Sequence, residues 1–263
     1  MVCSSNSSEK DLFRFKHFSV NQGNVAMRVN TDGVLLGAIA AQYLDNIPKD
    51  LDKEFSVLDI GGGTGVIALI MAQKLSEIYS NSCNYRVDAI DIEEECYRVA
   101  AENFKASAWS KNLHSIHSSL QDYNHDGYDF IVSNPPYFNN SLKNPLKEKS
   151  IARHTLALSY KELLSKGVCL MKDNGTFALI FPSSEKDSFL KIAHDNYLYE
   201  TSLIYIFSNN SLINKGLDGA KRVVAIFSKG VQKECIEKKI FLEDKATGSR
   251  SEEYSTLTKD LYL

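Results

Sequence analysis

Apolar positions recur along this chain in two alternating rhythms. Short apolar runs bounded by glycine, proline or polar clusters predict strands over Glu54–Ile60, Tyr85–Ile92, Ser115–Ser118, Tyr128–Ser133, Gly175–Phe181, Thr201–Ser208 and Arg222–Ser228. Between them, apolar residues three and four apart (Val66, Ile67, Leu69, Ile70, Ala72 and Leu75) predict a helix over Val66–Ile78. Further helices are expected over Val34–Leu44, Glu93–Ala106, Ser159–Met171 and Ser183–Asn196. Thr31 or Asp32 is expected to cap the first of these, and acidic residues crowd the first turn of Glu93–Ala106, where the helix dipole favours them. Strands alternating with helices imply an α/β fold, a seven-stranded, mostly parallel sheet with helices on both faces. No internal repeat interrupts the pattern. A frayed 1–11 and a single domain over 12–263 are expected, divided into an extension (12–50), a core (51–228) and a tail (229–263). The segment Leu12–Asn30 mixes aromatic and basic residues and yields no element, and Lys229–Lys239, mixed in sign, reads as plain surface.

Composition narrows the class. With 43% hydrophobic and 24% charged residues in 263, the chain can bury a core and is no disordered or collagen-like polymer. No apolar run approaches the ~20 residues of a membrane-spanning helix, and Met1–Lys10 lacks the pattern of a secretory signal. The five cysteines (Cys3, Cys83, Cys96, Cys169, Cys235) are scattered and form no C-x-x-C pair, so free thiols in a cytoplasmic protein without a metal site are expected. A net charge of −3 means that a nucleic-acid partner must be met by a local basic patch.

The first chemically informative segment is Val57–Gly65, where a predicted strand stops at Gly61-Gly62-Gly63-Thr64-Gly65 and feeds directly into a helix. Such a turn lets a ligand approach the backbone closely, with helix N–H groups available. Asp59 places a carboxylate beside the turn. Asp91 ends the next strand, where an acid can accept hydrogen bonds from both hydroxyls of a ribose. A nicotinamide fingerprint can be laid over Gly63–Ala68, but it leaves Asp59 and Gly61 idle. The register Asp59-x-Gly61-x-Gly63-x-Gly65 employs all four residues and resembles the S-adenosylmethionine motif of Rossmann-like class I methyltransferases. That cofactor carries an amino-acid portion, for which an acid near the turn makes chemical sense.

The second segment is Asn134-Pro135-Pro136-Tyr137, directly after Tyr128–Ser133. Two prolines cannot continue a central strand, so they stiffen the backbone just beyond it. The Asn134 amide oxygen and the Pro135 carbonyl can each accept an N–H bond, and Tyr137 offers a flat ring. An NH2 group on a planar π-system needs this set, because its lone pair is delocalised. Two acceptors on its hydrogens favour pyramidalisation, and positioning then replaces a strong base. The tetrapeptide resembles the catalytic motif of methyltransferases acting on adenine N6, cytosine N4, guanine N2 or glutamine amides.

Longer stretches sharpen the resemblance. Phe15-Lys16-His17-Phe18, Met27–Gly37, Asp129–Phe138, Arg153-His154 and the ending Tyr254–Leu263 look like the bacterial tRNA(Val) adenine-37 N6-methyltransferases, over roughly Phe13–Phe181 plus the tail. Carried over position by position, the resemblance assigns Asp59, Gly61, Gly63 and Gly65 to wrapping S-adenosylmethionine and Asp91 to its ribose. It implies that Thr31, in the N-terminal extension, helps enclose the cofactor, and that Asn134, Pro135, Pro136 and Tyr137 orient the adenine amine. Two departures stand out. Gly62 occupies a place often held by a side chain, which should loosen the turn. The acid that meets the cofactor's adenine is not clearly placed, Asp122 being the nearest candidate.

Charge agrees locally with an RNA partner. Lys143, Lys147, Lys149 and Arg153 stand against Glu148 alone, directly after the tetrapeptide, where phosphates flanking a flipped-out base would pass. Arg14, Lys16, His17 and Arg28 form a second basic cluster. His154 reads as an ordinary histidine, since attack by a neutral amine needs no imidazole, and Trp109 reads as a packing anchor. No obligatory protein partner is evident. The same motif on a protein glutamine, rRNA guanine or DNA adenine methyltransferase, and a binding protein without turnover, are the alternatives.

Overall fold

The computed structural model describes residues 11–80, 84–136, 158–230, 232 and 234–263. A two-stranded antiparallel hairpin, β1 (Leu12–Arg14) and β2 (Ser19–Asn21), precedes α1 (Thr31–Tyr43). Then come β3 (Phe55–Ile60), α2 (Val66–Ile78), β4 (Tyr85–Asp91), α3 (Glu94–Ala106), β5 (Leu113–His117) and β6 (Tyr128–Ser133). The second half comprises α4 (Tyr160–Cys169), β7 (Met171–Pro182), α5 (Lys186–Asp195), β8 (Leu198–Asn209), β9 (Arg222–Lys229), β10 (Ile236–Glu243) and α6 (Glu252–Leu257).

Among the described residues, eight strands form the main sheet in the order β10-β8-β9-β7-β6-β3-β4-β5. Only β9 runs against its neighbours, β7 and β8; every other pairing is parallel. The expected seven strands are therefore eight. The additional one is β10, whose first residues Ile236–Lys239 lie within the stretch read as plain surface. It is an edge strand with Ile236–Lys239 exposed and only Phe241 buried, so it never shows the apolar run of a central strand.

The central strands do show it: all six residues of β3 are buried, because helices cover both faces. On one face Phe55 and Val57 pack with α1, α2, Phe104 of α3, the hairpin and Tyr254 of α6. On the other, Leu58 and Ile60 pack with Leu163 and Leu164 of α4 and Phe189 of α5. Helix α1 lies so close to α2 that a Cβ at Gly37 would sit 2.8 Å from Ile70 Cδ1. Its cap is neither Thr31 nor Asp32 but Asn30, whose Oδ1 accepts the Gly33 N–H at 2.9 Å. Asp11, expected in the frayed segment, belongs to the folded chain, since its carbonyl accepts the Gln22 N–H at 2.8 Å and its carboxylate pairs with Arg28. No helix among the described residues is long and apolar enough to cross a membrane.

Candidate cofactor and methyl-transfer site

The strand register assembles the site. Ile60 is paired with Ser133 of β6 on one side and with Ile90 of β4 on the other. The glycine turn after Ile60 therefore stands between Asn134, which follows β6, and Asp91, which ends β4. Ser133 locks this arrangement by donating its hydroxyl to the Ile60 carbonyl at 2.9 Å. These are the carboxyl ends of parallel strands, where open α/β sheets bind their ligands.

The turn can be built only from glycine at several places. Gly61, Gly63 and Gly65 have φ of 75°, 55° and 80°, the left-handed region that side chains disfavour. A Cβ at Gly65 would lie 2.5 Å from Phe104 Cε1, whereas one at Gly61 would meet nothing within 4 Å. Gly65 thus serves close helix packing, and Gly61 keeps a face of the turn open to a ligand. The expectation that Gly62 loosens the turn is overturned: a Cβ there would lie 2.9 Å from the Ala89 Cβ, so the site has no room for a side chain. The N–H groups of Gly61 and Gly62 both donate to the Ile90 carbonyl, at 2.9 and 3.0 Å.

Asp59 is fully buried beneath the turn. Its Oδ2 accepts the Ala68 N–H at 3.2 Å, while Oδ1 has no hydrogen-bond partner among the described residues. Burial pushes its carboxyl up to about 7; the Ala68 N–H opposes the rise and the nearby Asp91 charge adds to it. An orphaned buried carboxylate oxygen is costly unless a donor arrives, and an ammonium group is such a donor. Asp91 uses Oδ2 to accept the Gly63 N–H and Oδ1 to accept the Glu93 N–H, both at 2.9 Å. Burial raises its carboxyl too, against the pull of those two N–H groups. Each oxygen keeps a lone pair for a further donor.

At the other wall, Asn134 is half-buried, Pro135 buried and Pro136 exposed. Helix α1 closes the corner, since a Cβ at Gly33 would lie 3.7 Å from Asn134 Nδ2 and 3.8 Å from Val66 Cγ1. Thr31, at the first position of α1, is exposed and lines a cleft with Lys221 and Arg222. Asp122 is exposed on the chain after β5, its Oδ2 accepting the Ser119 hydroxyl at 2.6 Å and its own N–H donating back to that hydroxyl at 3.2 Å. Its carboxylate thereby closes a local turn. Tyr137, Lys143, Lys147, Lys149, Arg153 and His154 lie outside the described residues. Trp109 packs edge-on against Phe18, as a packing anchor would. Among the described residues no cluster of histidine, cysteine and acidic side chains could hold a metal ion.

Three contributors escaped the sequence reading. Asn30 fixes the start of α1. Ile92, absorbed into a strand, is 43% exposed directly after Asp91 and adds apolar surface beside that acid. Asn103, buried on α3, donates Nδ2 to the carbonyls of Asn21 and Thr64, each at 2.9 Å, and accepts the Asn21 N–H at 2.8 Å. It ties the hairpin to the glycine turn. A signal was present: Asn103 is the polar member of the buried stripe Cys96, Val99, Ala100 and Phe104.

The chain resembles known proteins in sequence and in fold. The sequence profile of the family described as methyltransferase small domain matches residues 39–177. The tRNA1(Val) (adenine(37)-N6)-methyltransferase of Flavobacterium psychrophilum is 34% identical over 255 residues, covering 96% of this chain and 99% of that protein. The Phocaeicola vulgatus protein of the same name is 38% identical over 255 residues, covering 95% and 97%. A crystal structure from Agrobacterium tumefaciens, described as a predicted O-methyltransferase, superposes with a TM-score of 0.61 at 13% identity, over 88% of this chain and 96% of that one. At that identity the likeness concerns the fold alone.

Proposed function

Since the chain belongs to the tRNA1(Val) (adenine(37)-N6)-methyltransferase family, we propose that it methylates the N6 amino group of adenine 37 in tRNA(Val), using S-adenosylmethionine. The observation that carries this reading is the pairing of Ile60 with Ser133, which sets the glycine turn against the Asn134-Pro135-Pro136 corner. When bound, S-adenosylmethionine supplies a sulfonium-borne methyl group that an unprotonated nitrogen can take by direct displacement. Asp59 Oδ1 would receive the cofactor's ammonium, directly or through a water. Asp91 would receive its ribose hydroxyls, and Ile92 would face its adenine.

Asn134 Oδ1 and the Pro135 carbonyl would each hold one hydrogen of the substrate N6, so that its lone pair turns out of the ring plane. By the sequence pattern, Tyr137 would hold that ring flat. The positioned amine needs neither a metal nor a strong base, because the two acceptors align it and the proton it sheds passes to water. A tRNA substrate is in keeping with a cytoplasmic protein. In this reading 12–50 encloses the ligands, 51–228 is the core, and 229–263 adds β10 to the sheet before running on as the tail.

Mass spectrometry of tRNA nucleosides from cells with and without the gene tests the assignment. Loss of N6-methyladenosine from tRNA(Val) supports it, and an unchanged level overturns it. Reversing the charge of Lys143, Lys147 and Lys149 together should weaken tRNA binding and flatten its salt dependence; unaltered binding in a salt titration would move the RNA surface elsewhere.

The raised Asp59 carboxyl predicts a pH dependence. Only the carboxylate form attracts an ammonium, so cofactor affinity falls as pH drops through about 7. By linkage the dissociation constant rises about fivefold between pH 7 and 6, as read by titration calorimetry, and Asp59→Asn abolishes that slope. The unliganded protein responds in the opposite sense. Stabilisation from protonated Asp59 is fully present below the unfolded carboxyl value of about 3.9 and is lost as pH rises through about 7.

A further inference from the structure

A cleft of about 310 Å³ opens beside the methyl-transfer corner, between Thr31 and Asp32 of α1, Ile206 and Ser208 at the end of β8, and Lys221 and Arg222 at the start of β9. Arg222 is paired with Pro182 at the end of β7 and with Ile206 of β8, so the cleft lies at the sheet end that carries Asn134. Cleft and corner share a wall. Asp32 lines the former, and the next residue, Gly33, stands where a Cβ would be 3.7 Å from Asn134 Nδ2.

The chemistry of the lining is specific. Ile206 is buried and supplies an apolar floor, while Thr31 and Ser208 add hydroxyls. Arg222 Nε donates to Asp32 Oδ2 at 2.9 Å, and its Nη1 donates to the Lys221 carbonyl at 3.0 Å, so the guanidinium is held in place. Lys221 is exposed at the rim. Two cations against one carboxylate leave a positive excess, and the volume is near the lower end of ligand pockets, about 300 Å³. A base turned out of an RNA strand into the corner carries its neighbouring sugar-phosphates with it, and they must pass over an adjoining surface.

We propose that this cleft is a second RNA subsite, which takes the sugar-phosphate of a nucleotide flanking the target adenine. Lys221 meets the phosphate, Arg222 adds to the field, and the Ser208 hydroxyl serves the sugar oxygens. The proposal rests on the RNA-methylating reading above and specifies where that substrate runs.

Fluorescence anisotropy with a labelled anticodon stem-loop, joined to steady-state methylation of the full tRNA by the full chain, tests it. Lys221→Glu should weaken stem-loop binding about tenfold, reduce the salt slope by about 0.7 for one lost single-strand phosphate contact, and leave the KM for S-adenosylmethionine within twofold. Lys221→Arg should restore binding to within about twofold, and Ser208→Glu should weaken it as Lys221→Glu does. If the wild-type protein binds the stem-loop and both charge variants bind it equally well, the subsite is overturned. It is also overturned if Lys221→Glu raises both KM values alike and Lys221→Arg fails to rescue. A wild-type protein that neither binds nor methylates RNA overturns the underlying reading, and the subsite falls with it.

Discussion

Asn134→Ala is expected to cut the single-turnover rate of tRNA methylation by about 10²- to 10³-fold, the usual cost of removing one positioned polar group at a reacting centre. Its effect on cofactor binding should be small, within a few-fold by calorimetry. The two readouts separate because the contact proposed for the substrate comes from Asn134, after β6, whereas both carboxylates proposed for the cofactor stand on β3 and β4. Folding should survive the change, since the end of β6 is held by the Ser133 hydroxyl on the Ile60 carbonyl rather than by the Asn134 side chain. Unchanged turnover would refute the assigned role.

Asp91→Ala should act in the reverse way. Two charge-assisted hydrogen bonds to a ribose are lost, each worth about 1.5 kcal/mol at the lower end of the usual range, so the cofactor dissociation constant should rise roughly a hundredfold. The substitution also frees the Gly63 and Glu93 N–H groups, which Asp91 now holds at 2.9 Å. Asp91→Asn keeps one acceptor oxygen and should fall between the two. At saturating cofactor, turnover should recover much of its value in Asp91→Ala and none of it in Asn134→Ala. Equal affinity in wild type and Asp91→Ala would sink the ribose assignment.

The half of the fold that builds the site was legible because burial on both faces leaves a plain mark. β3, β4 and β6 read as apolar runs ending in a glycine turn, an acid and a Pro-Pro corner, and the helix over Val66–Ile78 ends where its spacing ends. Edges were harder. β1 and β2 are three residues each with a single buried side chain between them, Val20, so no period develops. Neighbouring Asn, Thr and Asp side chains are equally able to cap α1, and only tertiary placement selects Asn30. Gly62 looked like a missing side chain because the contact that excludes one comes from Ala89 on another strand. Asp122 has the right chemistry for a ligand, and the Ser119 hydroxyl on its Oδ2 leaves further acceptor sites on the carboxylate.

The segment after β10 returns to the hairpin. After β10, Ser251 caps α6 through the Tyr254 N–H, the Leu261 carbonyl accepts the Lys16 N–H at 2.8 Å, and the Arg250 guanidinium lies 4.2 Å from the centre of the Tyr262 ring, itself stacked on Phe15. Asn103 then joins the far strand of that same hairpin to the glycine turn. The hairpin and 250–262 are thus two courses of one masonry wall behind the glycine turn. Contacts made by 250–262 thereby reach the glycine turn through the hairpin and Asn103, so the order of the turn rests on a segment remote from it in sequence.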